Sequence, residues 1–290
     1  MSRSTYVVPP TYLPLIGCFA LFSIALGFVG WLHEQHHANY LLITGFTLLF
    51  VMLFLWFKTV IDEVRVHKLD LDPVIDYAYR WSMGWFIFSE VMFFGVFFGT
   101  LFFIRVLTIP YLSGGVEEGI MTHFVLWPNF HDIWPMLSNP DPLINGAKQA
   151  MGAWGIPAIN TLILLTSGVT ITVAHWGIFK NNNKQAAIFQ LLTILLGIVF
   201  LYLQTKEYHE AYHEMGLTLS SGAYGNTFFM LTGFHGFHVT MGTIMLIVIL
   251  YRILKGHFTP KHHFAFEAVA WYWHFVDVVW LGLFVFVYWL

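Results

Sequence analysis

FAFEAVAWYWHFVDVVWLGLFVFVYWL, residues 264–290, is the stretch on which the reading of this chain turns. It is longer than the roughly 20 residues a helix needs to cross a bilayer. It carries no Lys or Arg, yet Glu267, His274 and Asp277 sit inside its apolar and aromatic run. An ionisable group at bilayer depth costs about 2.5–3.5 kcal/mol on insertion scales, so three in one span must face protein, water or headgroups. Glu267 and His274 are seven apart and share a helix face, and Asp277 lies within reach of His274. The span therefore predicts a packed helix of a bundle, with a polar stripe among Trp271, Trp273 and Trp280.

The composition agrees. Of 290 residues 58% are hydrophobic and only 10% charged, with a mean hydropathy of +0.68, which excludes a soluble domain. The net charge of −3 and the lack of a basic run of five or more argue against nucleic acid. The one cysteine, Cys18, lies in the first apolar span and excludes an internal disulfide or a thiolate metal cluster. Before that span only Arg3 is charged and no small-x-small cleavage pattern follows it, so no signal peptide is expected.

Working outward, hydropathy predicts seven spans, at about residues 13–32, 40–57, 82–107, 157–179, 185–204, 225–253 and 264–290. With the N-terminus inside, the inner segments hold Arg3, Lys58, Arg65, Lys68, Arg80, Lys180, Lys184, Arg252, Lys255 and Lys261, and the outer ones only Arg105, Lys148 and Lys206. Ten basic residues against three predict an N-in, C-out topology. Trp56-Phe57-Lys58 puts aromatics beside a cation at the membrane edge, which suits a phospholipid headgroup or a snorkelling lysine.

The third span carries Glu90 near its middle with Ser89 as its polar neighbour, and a Gly95/Gly99 small-xxx-small face that allows close helix approach. A lone carboxyl there is either functional or paired across helices. The loop at 108–156 is rich in Pro, Gly, Trp and Asn, too irregular for regular elements and suited to capping a neighbouring surface. Asn160, Ser167, His175, His235, His238 and His274 are expected to form interhelical hydrogen bonds.

Three chemical readings compete. His209-Glu210-Ala211-Tyr212-His213 and His33-Glu34-Gln35-His36-His37 both fit H-E-x-x-H, the pattern of a zinc protease, but both lie at outer membrane edges without an evident third ligand. His175, His235, His238 and His274 lie within spans, where paired histidines can ligate haem. Glu90, Glu267 and Asp277 suit a transporter relay, although no repeated pair of broken spans accompanies them.

HHFAFEAVAWYWHFVDVVWL at residues 262–281 resembles the terminal signature of subunit III of the cytochrome c oxidases, in the haem–copper oxidase superfamily. WSMGWFIFSEVMFF around Glu90, PAINTLILLTSGVTITVAH around Ser167, KEY-x-EA around Glu207 and YGNTFFMLTGFHGFHV around His235 are similar to that family in the same order. The resemblance implies an all-α membrane protein of seven transmembrane helices in two bundles, two plus five, separated by a V-shaped lipid-binding cleft. The two bundles would fall at residues 1–80 and 81–290, the second including the outer loop.

It also implies that this chain alone is not catalytic. It would hold no metal, haem or copper, these belonging to subunit I and to the dicopper site of subunit II, through which cytochrome c is met. Glu90, Glu267 and Asp277 become buried carboxylates that support proton uptake. Trp56, Lys58, Arg80, Arg252 and His257 become phospholipid contacts, with His262 and Glu267 continuing the same inner-end match. The family's role is to hold lipid, stabilise subunit I and sustain turnover. The long loop suggests a bacterial version in the inner membrane. Subunit III of quinol oxidases usually lacks the first two helices, so their presence favours the cytochrome c branch.

Overall fold

The structure, a computed structural model, describes residues 10–67 and 72–290; Arg3 and Lys68, counted above for topology, lie outside the described residues. Nine α-helices appear among the described residues: α1 (Leu13–Leu32), α2 (Ala38–His67), α3 (Pro73–Phe102), α4 (Ile109–Leu112), α5 (Ile120–Leu126), α6 (Ile156–Phe179), α7 (Asn183–His213), α8 (Ala223–Leu254) and α9 (Phe264–Leu283). A π-helical turn, Phe103–Thr108, joins α3 to α4, and another, Phe284–Trp289, extends α9. Seven helical stretches are long and apolar enough to cross a membrane. The protein is thus an all-helical, multi-pass membrane protein.

The helices begin and end where local chemistry stops them, and this makes several longer than their apolar cores. Nothing in the sequence breaks α2 at Phe57, so it runs on through Lys58 and Arg65 to His67. α3 starts early because Asp72 Oδ1 accepts the Val74 N–H at 2.9 Å and Pro73 occupies the first turn, where its missing N–H costs nothing. α7 is capped by Asn182, whose Oδ1 accepts the Gln185 N–H at 3.1 Å. Hydroxyls on exposed faces are satisfied by their own helix: Thr47, Thr100 and Thr166 each donate to the carbonyl four residues back.

The chain divides into two compact units, Met1–Tyr79 and Arg80–Leu290. In the first, α1 and α2 form an antiparallel hairpin around small residues. A side-chain carbon on Gly45 would lie 2.8 Å from Ile24 N and 2.9 Å from Ala20 O, and one on Gly27 would lie 2.8 Å from Leu42 N. The obstacles are backbone, so only glycine lets the helices approach this far.

In the second unit α6 packs on α7, α7 on α8, and α9 on both α8 and α6. Thr170 and Thr193 hydroxyls meet at 2.7 Å between α6 and α7. Gln190 of α7 donates to Leu246 O of α8 at 3.0 Å. The indoles of Trp273 and Trp280 on α9 donate to Ser167 Oγ at 2.8 Å and Thr161 Oγ1 at 2.9 Å on α6. Gly95 and Gly99 do not form the expected close approach: an added side-chain carbon at either meets nothing within 4 Å among the described residues. Small size permits an approach but does not supply the partner.

The 108–156 loop is less irregular than its composition suggested, since α4 and α5 lie within it. Its remainder covers the α7–α8 turn: Lys148 N–H donates to Met215 O at 2.8 Å, Met151 N–H to Tyr224 Oη at 3.0 Å, and Asn139 Nδ2 to Ser221 O at 3.2 Å. Gly45→Val should push the first hairpin apart and cost about 1–3 kcal/mol, as overpacking does. A thermal melt in mild detergent checks this, and an unchanged melt contradicts the close approach.

Candidate functional site

The intramembrane carboxylates resolve into three separate settings. Glu90 of α3 is paired. His238 of α8 places its Nε2 2.8 Å from Glu90 Oε2, with side chains 8% and 21% exposed respectively. His238 Nδ1 lies 2.6 Å from Phe234 O. A carbonyl only accepts, so the ring proton on Nδ1 is committed there. The 2.8 Å Nε2–carboxyl contact then joins acid and imidazole as a hydrogen-bonded pair. Ser89 donates to Phe86 O at 2.7 Å and does not serve Glu90. Phe93, Phe94 and Tyr272 surround the histidine ring at 5.0–6.4 Å and shield the pair.

Glu267, in the first turn of α9, is gripped by Arg80 of α3 through Oε2, with a second contact from Arg80 Nη2 to Oε1 at 3.4 Å. Oε1 also faces His263 Nε2 at 3.2 Å, and His263 Nε2 meets His175 Nε2 of α6 at 3.1 Å. Phe264 stacks under the Arg80 guanidinium at 5.0 Å. This cluster joins three helices at one end of the second unit.

Asp277 is the third case. Its Oδ2 sits 3.8 Å from His274 Nδ1, too far for a hydrogen bond, and its Oδ1 has no hydrogen-bond partner among the described residues. Asp277 is only 8% exposed, but His274 is 46% exposed near the middle of the span. Both line a groove of about 530 Å³ between α6 and α9, whose other walls are apolar except for Thr172.

The remaining expected residues separate as follows. Ser167 and His235 bond across helices, His235 Nε2 donating to Val276 O at 3.3 Å. Asn160 does not: it is fully buried, yet neither its amide oxygen nor its nitrogen has a partner among the described residues. Its burial follows from the α6–α7 packing rather than from bonds of its own. His274 makes no interhelical bond either, facing outward beside Asp277. Trp56 and Lys58 lie on an exposed face of α2, with Trp56 and Phe57 rings 6.1 Å apart. Arg252, at the end of α8, covers the Phe258 ring at 4.7 Å, with His257 in the turn between them.

Among the described residues neither H-E-x-x-H gathers a group of three ligands. His33–His37 falls in the non-helical α1–α2 turn, and His209 and His213 are exposed on α7 with ring centroids 4.3 Å apart. Sequence reasoning missed Glu207. It lies near the outer end of its helix, yet it is 1% exposed and accepts from Tyr288 Oη at 2.6 Å. The signal was available: Glu207 and Ala211, both buried, stand four apart, one helical turn, and share the inward face of α7.

Together these features define a polytopic bundle whose intramembrane polar groups are largely paired within its own helices, with one polar pair left on an outward face. The family described as "Cytochrome c oxidase subunit III" matches residues 3–117 and 134–290. A cytochrome c oxidase subunit 3 of Marchantia polymorpha is 41% identical over 286 residues, covering 98% of this chain and 95% of the relative. That of Prototheca wickerhamii is 39% identical over 283 residues, covering 98% and 96%. That of Dugong dugon is 38% identical over 290 residues, covering 99% and 97%. The chain belongs to the cytochrome c oxidase subunit III family.

Glu90→Gln should keep the His238 contact, because an amide N–H can donate to Nε2. Glu90→Leu should leave that nitrogen buried without a partner, at about 1–3 kcal/mol. A thermal melt of the two variants should therefore rank Gln above Leu, and the reverse order contradicts the pairing.

Proposed function

We propose that this chain is the accessory subunit III of a proton-pumping cytochrome c oxidase of an aerobic respiratory chain. It carries no redox centre of its own. Electrons from cytochrome c enter through subunit II and reach the haems and copper of subunit I. The chain docks on that core, holds phospholipid beside it and supports proton uptake and sustained turnover.

The observation that carries the docking role is the His274–Asp277 pair. Both groups lie at bilayer depth, one of them nearly half exposed, with an unpartnered carboxylate oxygen. A face bearing such groups is costly against lipid and calls for protein or enclosed water. The groove between α6 and α9 therefore docks against the oxidase core.

Lipid is assigned to the basic and aromatic groups at the inner ends of the helices. Trp56 and Lys58 offer an exposed aromatic beside a cation, while Arg252 and His257 form a second basic group; such sets suit headgroup phosphate. Arg80 has a protein partner in Glu267 and joins the lipid assignment through its place among the basic groups at the inner helix ends. Glu90, hydrogen-bonded to His238, and Glu267 are assigned to proton-uptake support. The charge distribution supports assigning the N-terminus to the inside, and the long outer loop supports reading the membrane as a bacterial inner membrane. The segment 118–133, outside the family match, supports reading the long loop as an insertion.

Purification through a tag on this chain in mild detergent, followed by an optical spectrum, should recover larger chains bearing haem. His274→Leu combined with Asp277→Leu should cut that recovery several-fold while the chain still folds, as judged by its own melt. Recovery of the chain without haem-bearing partners sinks the assignment. Lys58→Ala with Arg252→Ala should lower the phospholipid retained per complex, measured by mass spectrometry, and hasten inactivation during turnover. Unchanged lipid and lifetime exclude the lipid role.

A further inference from the structure

We infer that His175, His263 and Glu267 form a reversible binding site for a divalent zinc-like cation. One ligand atom from each residue lies within 4.8 Å of the others. His175 Nε2 to His263 Nε2 is 3.1 Å and His263 Nε2 to Glu267 Oε1 is 3.2 Å. Zinc bonds imidazole nitrogen at about 2.0–2.1 Å and carboxylate oxygen at about 2.0–2.2 Å, so neighbouring ligands of a tetrahedral ion stand roughly 3.3 Å apart. Two of the three separations thus already match a coordinated ion.

The surroundings orient these atoms as metal ligands. His263 Nδ1 lies 3.0 Å from Thr259 O, so the ring proton sits on Nδ1 and the Nε2 lone pair points into the cluster, as in histidine sites set by a carbonyl. Arg80 holds Glu267 mainly through Oε2, which leaves Oε1 turned to the imidazoles. Phe179 and Phe266 pack on the His175 ring at 4.6 and 5.2 Å and fix its plane. A proton on His263 Nε2 bridges it to Glu267 Oε1 but leaves His175 Nε2 to a second, separate proton. One cation satisfies all three atoms at once.

Two imidazoles and one carboxylate favour zinc and related transition ions over calcium or magnesium, which prefer oxygen. Because the carboxylate is shared with Arg80, the site has less negative charge than a dedicated structural zinc site, which makes binding reversible. An ion there would tie the end of α6 to the start of α9. The inference contrasts with the family expectation of no metal in this chain and stands on local geometry, independent of the lipid and docking roles.

The test is equilibrium dialysis of the purified protein, with the partners that accompany it, against radioactive zinc. The wild type should bind one more zinc per chain than His175→Gln, with the variant's affinity at that site reduced more than tenfold. Equal zinc in both proteins overturns the inference. Zinc X-ray absorption on the wild type needs no variant: a shell with two imidazoles and a carboxylate oxygen supports the site, and a shell without imidazole overturns it. Neither readout involves turnover or lipid, so failure of the proposed function leaves this result intact.

Discussion

Trp273 is the contact on which the second unit depends. Helices in lipid gain little from the hydrophobic effect against each other, because acyl chains are as apolar as leucine; they associate by close packing and polar bonds. Trp273 supplies both. It is fully buried, its indole N–H donates to Ser167 on α6, and its ring fills notches on two more helices. A side-chain carbon on Gly197 of α7 or on Gly242 of α8 would stand 2.9 Å from that ring. One side chain from α9 thus sets the spacing of α6, α7 and α8. The same logic explains the neighbouring Trp280, which donates to Thr161 and packs edge-on to Phe200 at 4.7 Å.

Around that centre the polar groups of the bundle are placed by what they can reach. Glu207 meets Tyr288, Glu90 meets His238 and Glu267 meets Arg80. Each pair joins elements distant in sequence, and each removes a carboxylate from direct contact with hydrocarbon. These pairs act as registration marks: a helix shifted by one turn would leave an acid stranded, at a cost that apolar packing alone would not impose.

Much of the fold was legible in the sequence because span length and hydropathy are properties of single segments. The first span, 13–32, coincides with α1. The bounds of α2 and α3 were not legible by the same rule, since hydropathy marks only the membrane-embedded part and both helices run on into polar residues. Site residues divide in a similar way. Glu90 stood out as an ionisable group in an apolar run, but its partner lies 148 residues away, and no periodicity within one helix reveals a contact between two. The Arg80–Glu267 pair spans 187 residues. Glu207 was hidden for the opposite reason: at a span's end a buried acid and a solvated one look alike, and only the fold distinguishes them.

Asp277 does not follow the pattern of the other intramembrane acids. Its near neighbour His274 is too distant for a good hydrogen bond and turns outward, and Gly168 leaves the room the carboxylate occupies: a side-chain carbon there would be 2.7 Å from Oδ2. The bundle therefore makes space for this acid without pairing it. A buried carboxylate oxygen without a hydrogen-bond partner costs stability, and the rest of the bundle offsets that cost. The same reasoning extends to the rest of that face, where Leu165, Val169, Trp176 and Val278 are all exposed along the groove. Apolar side chains there would be at home in lipid, but the His274–Asp277 pair would not. A surface that mixes both fits a protein neighbour that meets the exposed His274 ring with a polar group and covers the apolar rim in one step.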